Sequence, residues 1–189
     1  MTTFDIRTGT YRIDPARSAC RFTATHVFGL KPVAGTMTVT GGTIAVAEDP
    51  ERSIASAELD ATSFTTDDPK RDRDVRGKRF LDTANHPEIG FRSTRCRRTA
   101  EGWQLTGVLS VRGSAGEVTL DLISAEAVGD DVRLVAGCVV DRVAAGVSAG
   151  RAIIGRLVHI NLDIHAVPVP TPARHSPEEA RPAARYTAS

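Results

Sequence analysis

Four side chains in this sequence carry the chemistry to hold or act on a small molecule: His26, His159, Asp163 and His165. His26 recurs at the two-residue spacing of Cys20, Phe22 and Ala24, so it shares an apolar strand face with them. An imidazole in that setting offers one hydrogen bond to a ligand oxygen, or acts as a base on a hydrophobic substrate. The plainer reading is a core or rim histidine satisfied by a neighbour. His159, Asp163 and His165 alternate with Val158, Ile160, Leu162 and Ile164. At about 3.3 Å per residue, the two histidines stand roughly 20 Å apart, too far for one ion to bridge. Asp163 with His165 supplies only two ligands, so this face reads as a solvated outer surface and no metal is expected.

The other reactive groups are poorly placed for catalysis. Cys20, Cys96 and Cys138 are odd in number and lack metal-ligand spacing. Each falls within a predicted strand, where a thiol serves as a small hydrophobe, and a reducing compartment fits best. Ser110 and Ser148 have no evident base. Nucleophile-elbow, P-loop and dinucleotide-binding glycine patterns are all missing, so no catalytic residue is expected. Lys70, Arg71, Arg73, Arg76, Lys78 and Arg79 are interleaved with Asp67, Asp68, Asp72, Asp74 and Asp82. They read as a basic collar for an anionic head group such as a phosphate, or as a salt-bridged solvated helix.

Strands must position these residues. From Ser18 to Val167 the chain alternates apolar and polar residues with period two, interrupted by Lys70–Arg79. Asp14-Pro15 and Asp49-Pro50 read as turns, as do Arg112-Gly113-Ser114 and Gly129-Asp130-Asp131. Gly41-Gly42 reads as a tight hairpin turn, with Ile44 and Val46 on the returning strand. Asp68 followed by Pro69 makes a helix start, and the helix, polar almost all round, is expected to lie across an open end of the sheet. Residues 141–150 are small and Gly/Ala-rich and read as a loop or short helix. No internal repeat is present.

Many half-buried strands on 189 residues mean a sandwich or a closed barrel in one domain. Aromatics make up only 5%, so a barrel core of Val, Ile, Leu and Ala is open to incomplete filling. Lys plus Arg total 24 against 23 Asp plus Glu, without the basic excess of a nucleic-acid binder. Residues 1–11 carry Asp5 and Arg7 and no long apolar run, so neither a leader nor a membrane span is expected. The protein is therefore expected in the cytoplasm, without stable membrane insertion.

An ordered run of residues adds a family resemblance. Tyr11-x-Ile-Asp-Pro15 precedes Ser18, Phe22, His26 and Gly35. His86-Pro-x-Ile-x-Phe91-x-Ser-Thr94 and Gly107-x-Leu-x-x-Arg-Gly113 follow, then Asp141-Arg142, Gly146 and Ile154-Gly155. This order resembles the YceI-like family of polyisoprenoid-binding, lipocalin-like proteins over about residues 9–167. The chain departs from the family pattern at Met37 and Ala145, where phenylalanines are usual, and through Asp74–Leu81. The resemblance implies an all-β, antiparallel, lipocalin-like β-barrel of about eight strands with one short helix over an end. It implies an apolar pore for a polyisoprenoid chain and no catalytic residues.

On this reading residues 1–8 form a flexible N-terminus and 168–189 a disordered Pro/Ala-rich tail. The expected lining is Phe22, Met37, Phe64, Phe80, Phe91, Leu109, Leu120 and Leu134, with His26 as polar contact and Arg142 as head-group partner. No cofactor is expected; the bound molecule would be an amphiphilic isoprenoid lipid or a quinone. A homodimer is left open. The rival expectations are a protein-interaction barrel filled by side chains, and an enzyme acting on a hydrophobic substrate.

Overall fold

A computed structural model describes residues 6–26, 31–150 and 154–170. Nine strands follow one another: β1 (Gly9–Ile13), β2 (Ala19–His26), β3 (Lys31–Val46), β4 (Ile54–Thr65), β5 (Glu88–Arg98), β6 (Trp103–Val111), β7 (Ser114–Val128), β8 (Asp131–Asp141) and β9 (Ile154–Pro168). All pairings are antiparallel, and β3 bonds both β2 and β4, so strands β2 to β9 close into an eight-stranded barrel. β1 is the extra strand. It lies between β3 and β9, pairing with Thr43–Val46 on one side and Ala166–Pro168 on the other, while β2 occupies the same slot further along. The two are one strand interrupted by the Asp14-Pro15 turn. At the break the Ser18 hydroxyl accepts from His165 N–H at 3.0 Å and donates to its carbonyl at 3.3 Å, replacing a ladder rung.

Turn chemistry sets the strand ends. Arg112 and Gly113, with φ of 50° and 72°, form the two-residue hairpin joining β6 to β7. Gly129 and Asp130 do the same between β7 and β8. The Gly41-Gly42 hairpin expected from sequence does not form. β3 runs straight through both glycines, and the register against β4 slips between Val39 and Gly41. Gly42 has φ 139°, and a Cβ there would strike the Ser56 carbonyl and approach Ala57 Cα to 2.8 Å. The glycines follow a bulge at Thr40 and let two backbones meet closely; they make no reversal.

α1 (Pro69–Arg76) lies between β4 and β5, on the same end of the barrel as the β6–β7 and β8–β9 loops. Asp68 caps it, accepting from the amides of Lys70 and Arg71 at 3.1 Å. The opposite end carries β1 and the main core: Tyr11, Ile13, Val39, Trp103, Leu122, Val132 and Ala166 are all buried there. On the outer face, Arg133 clasps Asp163 with two hydrogen bonds of 2.8 and 2.9 Å. That clasp holds the Asp163 carboxyl below its usual range, against the opposing effect of burial.

Candidate functional site: a hollow in the barrel

Inward-facing residues do not fill the barrel. Toward the helix end lies a cavity of about 460 Å³, walled by Phe22, Val33, Met37, Phe64, Phe80, Leu81, Val111, Val147 and Val158 among others. Beneath it lies a second, almost wholly apolar space of about 90 Å³, walled by residues that include Phe91, Leu105, Leu120, Leu134, Ala136 and Leu162. Leu59, Ile89, Leu109, Val140 and Ile160 border both spaces and form the waist between them. The barrel therefore holds one apolar passage in two parts. This contradicts the expectation of a barrel plugged by its own side chains.

The upper cavity meets polar groups at its rim. Thr66, Asp68, Lys70, Arg71 and Asp74 border it from α1 and the loop before it. Arg71 donates to Thr66 Oγ1 at 2.7 Å and lies 3.6 Å from Asp68. Lys70 is exposed, and no hydrogen-bond or ion-pair partner holds its side-chain ammonium among the described residues. Val75 of α1 also borders the cavity, while the one buried side chain of the helix, Asp72, turns to the end of β4, accepting from Thr65 Oγ1 (2.8 Å), Thr66 N (2.9 Å) and Thr66 Oγ1 (2.6 Å). Burial works to raise its pKa, but the Thr66 and Thr65 hydrogen bonds, with Arg76 nearby, hold the carboxyl below its usual value of 3.8. This carboxylate pins the helix to the end of β4.

Nine of the ten residues expected to contact a ligand border this passage. Phe22, Met37, Phe64, Phe80 and Arg142 face the upper cavity, Phe91, Leu120 and Leu134 the lower, and Leu109 both. The rings of Phe22 and Phe64 stack with centroids 4.8 Å apart. His26 ends β2, its backbone paired with Lys31 and Ile154, and its side chain lies outside the described residues. Arg142 differs from expectation. It is buried, and its guanidinium donates to the carbonyls of Gly155, Val147 and Ala149 at 2.7–2.8 Å, tying the β8–β9 loop to β9. Among the described residues that border the cavity, Lys70 is the cation whose side chain no hydrogen bond or ion pair holds.

Several wall residues escaped the sequence reading. Ile160 sits opposite Phe22 on one side and Cys138 on the other, and Leu59 opposite Ile89. Strand parity with Phe22 was the signal available for Ile160. Cys138 lines the lower space, and burial pushes its thiol up to about 11; the same cause takes Cys20 to about 12. Both stay protonated at neutral pH and act as small apolar side chains, Cys138 in the wall and Cys20 in the packed core. They flank β9 on strands two places apart, about 10 Å, which is beyond disulfide reach. No group of three metal-ligating side chains occurs among the described residues.

Comparison with known proteins follows the same outline. The sequence profile of the YceI-like domain matches residues 11–166. A UPF0312 protein of Yersinia pestis (strain Pestoides F) is 30% identical over 74 residues, 39% of this chain and 38% of that protein. A UPF0312 protein of Yersinia enterocolitica matches to the same extent, so the aligned stretch spans well under half of these curated relatives. Among solved structures, Burkholderia cenocepacia BcnA superposes with a TM-score of 0.70 at 21% identity, covering 82% of this chain and 99% of its own. A polyisoprenoid binding domain from Saccharophagus degradans, implicated in plant cell wall breakdown, gives 0.65 at 13% identity, covering 84% and 98%. These likenesses are of fold.

Proposed function

Because this chain belongs to the YceI-like family, we propose that its barrel binds a polyisoprenoid or similar amphiphilic lipid and sequesters or transports it without chemical change. The apolar chain lies in the passage and the polar head rests at the rim beside Lys70. One observation carries the reading: an apolar hollow of about 460 Å³ that opens next to a charged helix. Pockets of roughly 300–1,000 Å³ with apolar walls and few polar groups are ordinary small-molecule sites. The name of the Saccharophagus domain points to the same ligand class.

Energetics favour the chain over the head. Each buried methylene contributes about 0.8 kcal/mol, so a five-carbon unit gives roughly 3–4 kcal/mol before ordering costs. Two or three units therefore reach about −8 kcal/mol, a micromolar affinity, after those losses. A rim ion pair adds at most about 1 kcal/mol. A quinone with a prenyl tail meets the same requirements. Among the described residues no nucleophile–base pair borders the passage, and on this reading the ligand is carried rather than converted. Three reduced cysteines fit a reducing compartment, which makes the cytoplasm the expected site of action.

Purification without detergent, organic extraction and mass spectrometry test the reading. An isoprenoid recovered in stoichiometric amount supports it. No co-purifying lipid, together with no uptake of a fluorescent prenyl probe, overturns it.

A further inference from the structure

The passage has a floor as well as a mouth. Below the lower space, Val132 and Ala166 are at most 1% exposed and pair with each other, and Tyr11 and Ile13 of β1 close the slot that β2 leaves. A chain entering beside α1 has no exit at that end. Volume then becomes a measure of length. A cavity of about 150 Å³ takes the six carbons of benzene, or about 25 Å³ per carbon. On that scale the 460 Å³ cavity holds about 18 carbons and the 90 Å³ space about four more.

We propose that the barrel selects prenyl chains of three to four isoprene units, and that the waist and floor set this limit. The proposal rests on the carrier reading above and adds the ligand's size to it. The first three units fill the upper cavity. The terminal methyls of the fourth pass Leu109 and Ile160 at the waist and stop above the floor. In a longer chain the surplus units stay in water at the rim, where they bury nothing and add no affinity. Ala136, buried in the wall of the lower space, is the position at which a larger side chain would shorten the passage from below.

The test uses the full chain, stripped of co-purified lipid, and neutral prenyl alcohols of two, three, four, five and nine units. Each is titrated against a fluorescent apolar dye held in the passage. Affinity is expected to rise at least about tenfold per unit up to four units, then by less than about threefold across all longer chains. Ala136→Leu, checked for an unchanged circular dichroism spectrum, moves the plateau to three units. Affinity that keeps climbing at the same step through nine units overturns the length limit and leaves the carrier reading intact. So does a plateau that Ala136→Leu fails to move. Binding of none of the alcohols removes the carrier reading and the limit together.

Discussion

The two ends of this barrel are made by the same strands with the same inward–outward alternation, yet the β1 end is closed and leaves only about 90 Å³ unfilled, while the α1 end leaves about 460 Å³. At the closed end, β1 adds Tyr11 and Ile13, and Trp103 and Leu122 face each other across the β6–β7 pair. At the hollow end, the element laid over the opening is a polar helix whose one buried side chain, Asp72, bonds to Thr65 and Thr66 rather than to the lumen. Alternation alone therefore decides which side of a strand is dry. The size of the inward residues, and what crosses each end, decides whether the dry side is filled.

The sharpest way to break this contrast is to truncate one aromatic at each end. Trp103→Ala is expected to cost about 3–5 kcal/mol by removing packed core, whereas Phe80→Ala, half-buried at a void, costs about 1 kcal/mol or less. Urea unfolding midpoints measure both. Equal losses would mean that the ends are packed alike. Phe80→Ala should nevertheless weaken prenyl-probe uptake, which Trp103→Ala should not do beyond its effect on the folded fraction.

Asp72→Ala comes next, at about 2 kcal/mol, because it orphans three donors that a carboxylate satisfied. The pH dependence has a definite sign. A carboxyl held below 3.8 in the folded state contributes stability that is present above 3.8 and lost as pH falls through the lower folded value. Asp163, held down by Arg133, adds to the same slope. Wild-type unfolding midpoints should thus drop more steeply below about pH 4 than those of Asp72→Ala. Parallel curves would remove Asp72 as the anchor of α1.

Smaller effects test the rim and the floor. Lys70→Glu is expected to weaken an anionic prenyl phosphate about fivefold and a neutral prenyl alcohol less, consistent with one exposed ion pair. Equal weakening would show that the head group does not meet Lys70. The smallest signal is chemical. All three thiols should react slowly with an aromatic disulfide reagent in the folded protein, since burial raises each above its usual pKa. Added ligand should slow Cys138, in the wall of the lower space, more than Cys96, which lies in the core of the closed end. Equal protection would argue for general tightening rather than occupancy.

Much of this was legible in the sequence. The strands, the Asp68-Pro69 helix start and the Arg112-Gly113 turn follow from local chemistry, because alternation, capping and positive φ each act over a few residues. Gly41-Gly42 was misread for the same reason. Two glycines between alternating segments permit a reversal or a close approach of two backbones, and what decides is the distant backbone at Ser56 and Ala57. Asp72 looked like one more solvated acid, since its partners Thr65 and Thr66 meet it only when α1 folds back on β4. Arg142 was identifiable as a special residue but not as a clamp on the loop to β9, whose carbonyls converge only in three dimensions. Wall positions were readable from strand parity, whereas the waist depends on register across five strands.

A lumen that its own side chains do not fill also makes this a soft protein under compression. Unfolding lets water into space that the folded chain leaves vacant, so the volume change is negative and scales with that space. Hydrostatic pressure should therefore denature the unoccupied barrel well before a solid β-protein of equal thermal stability. A molecule filling the lumen should move that transition to much higher pressure, reporting occupancy with no label on either partner.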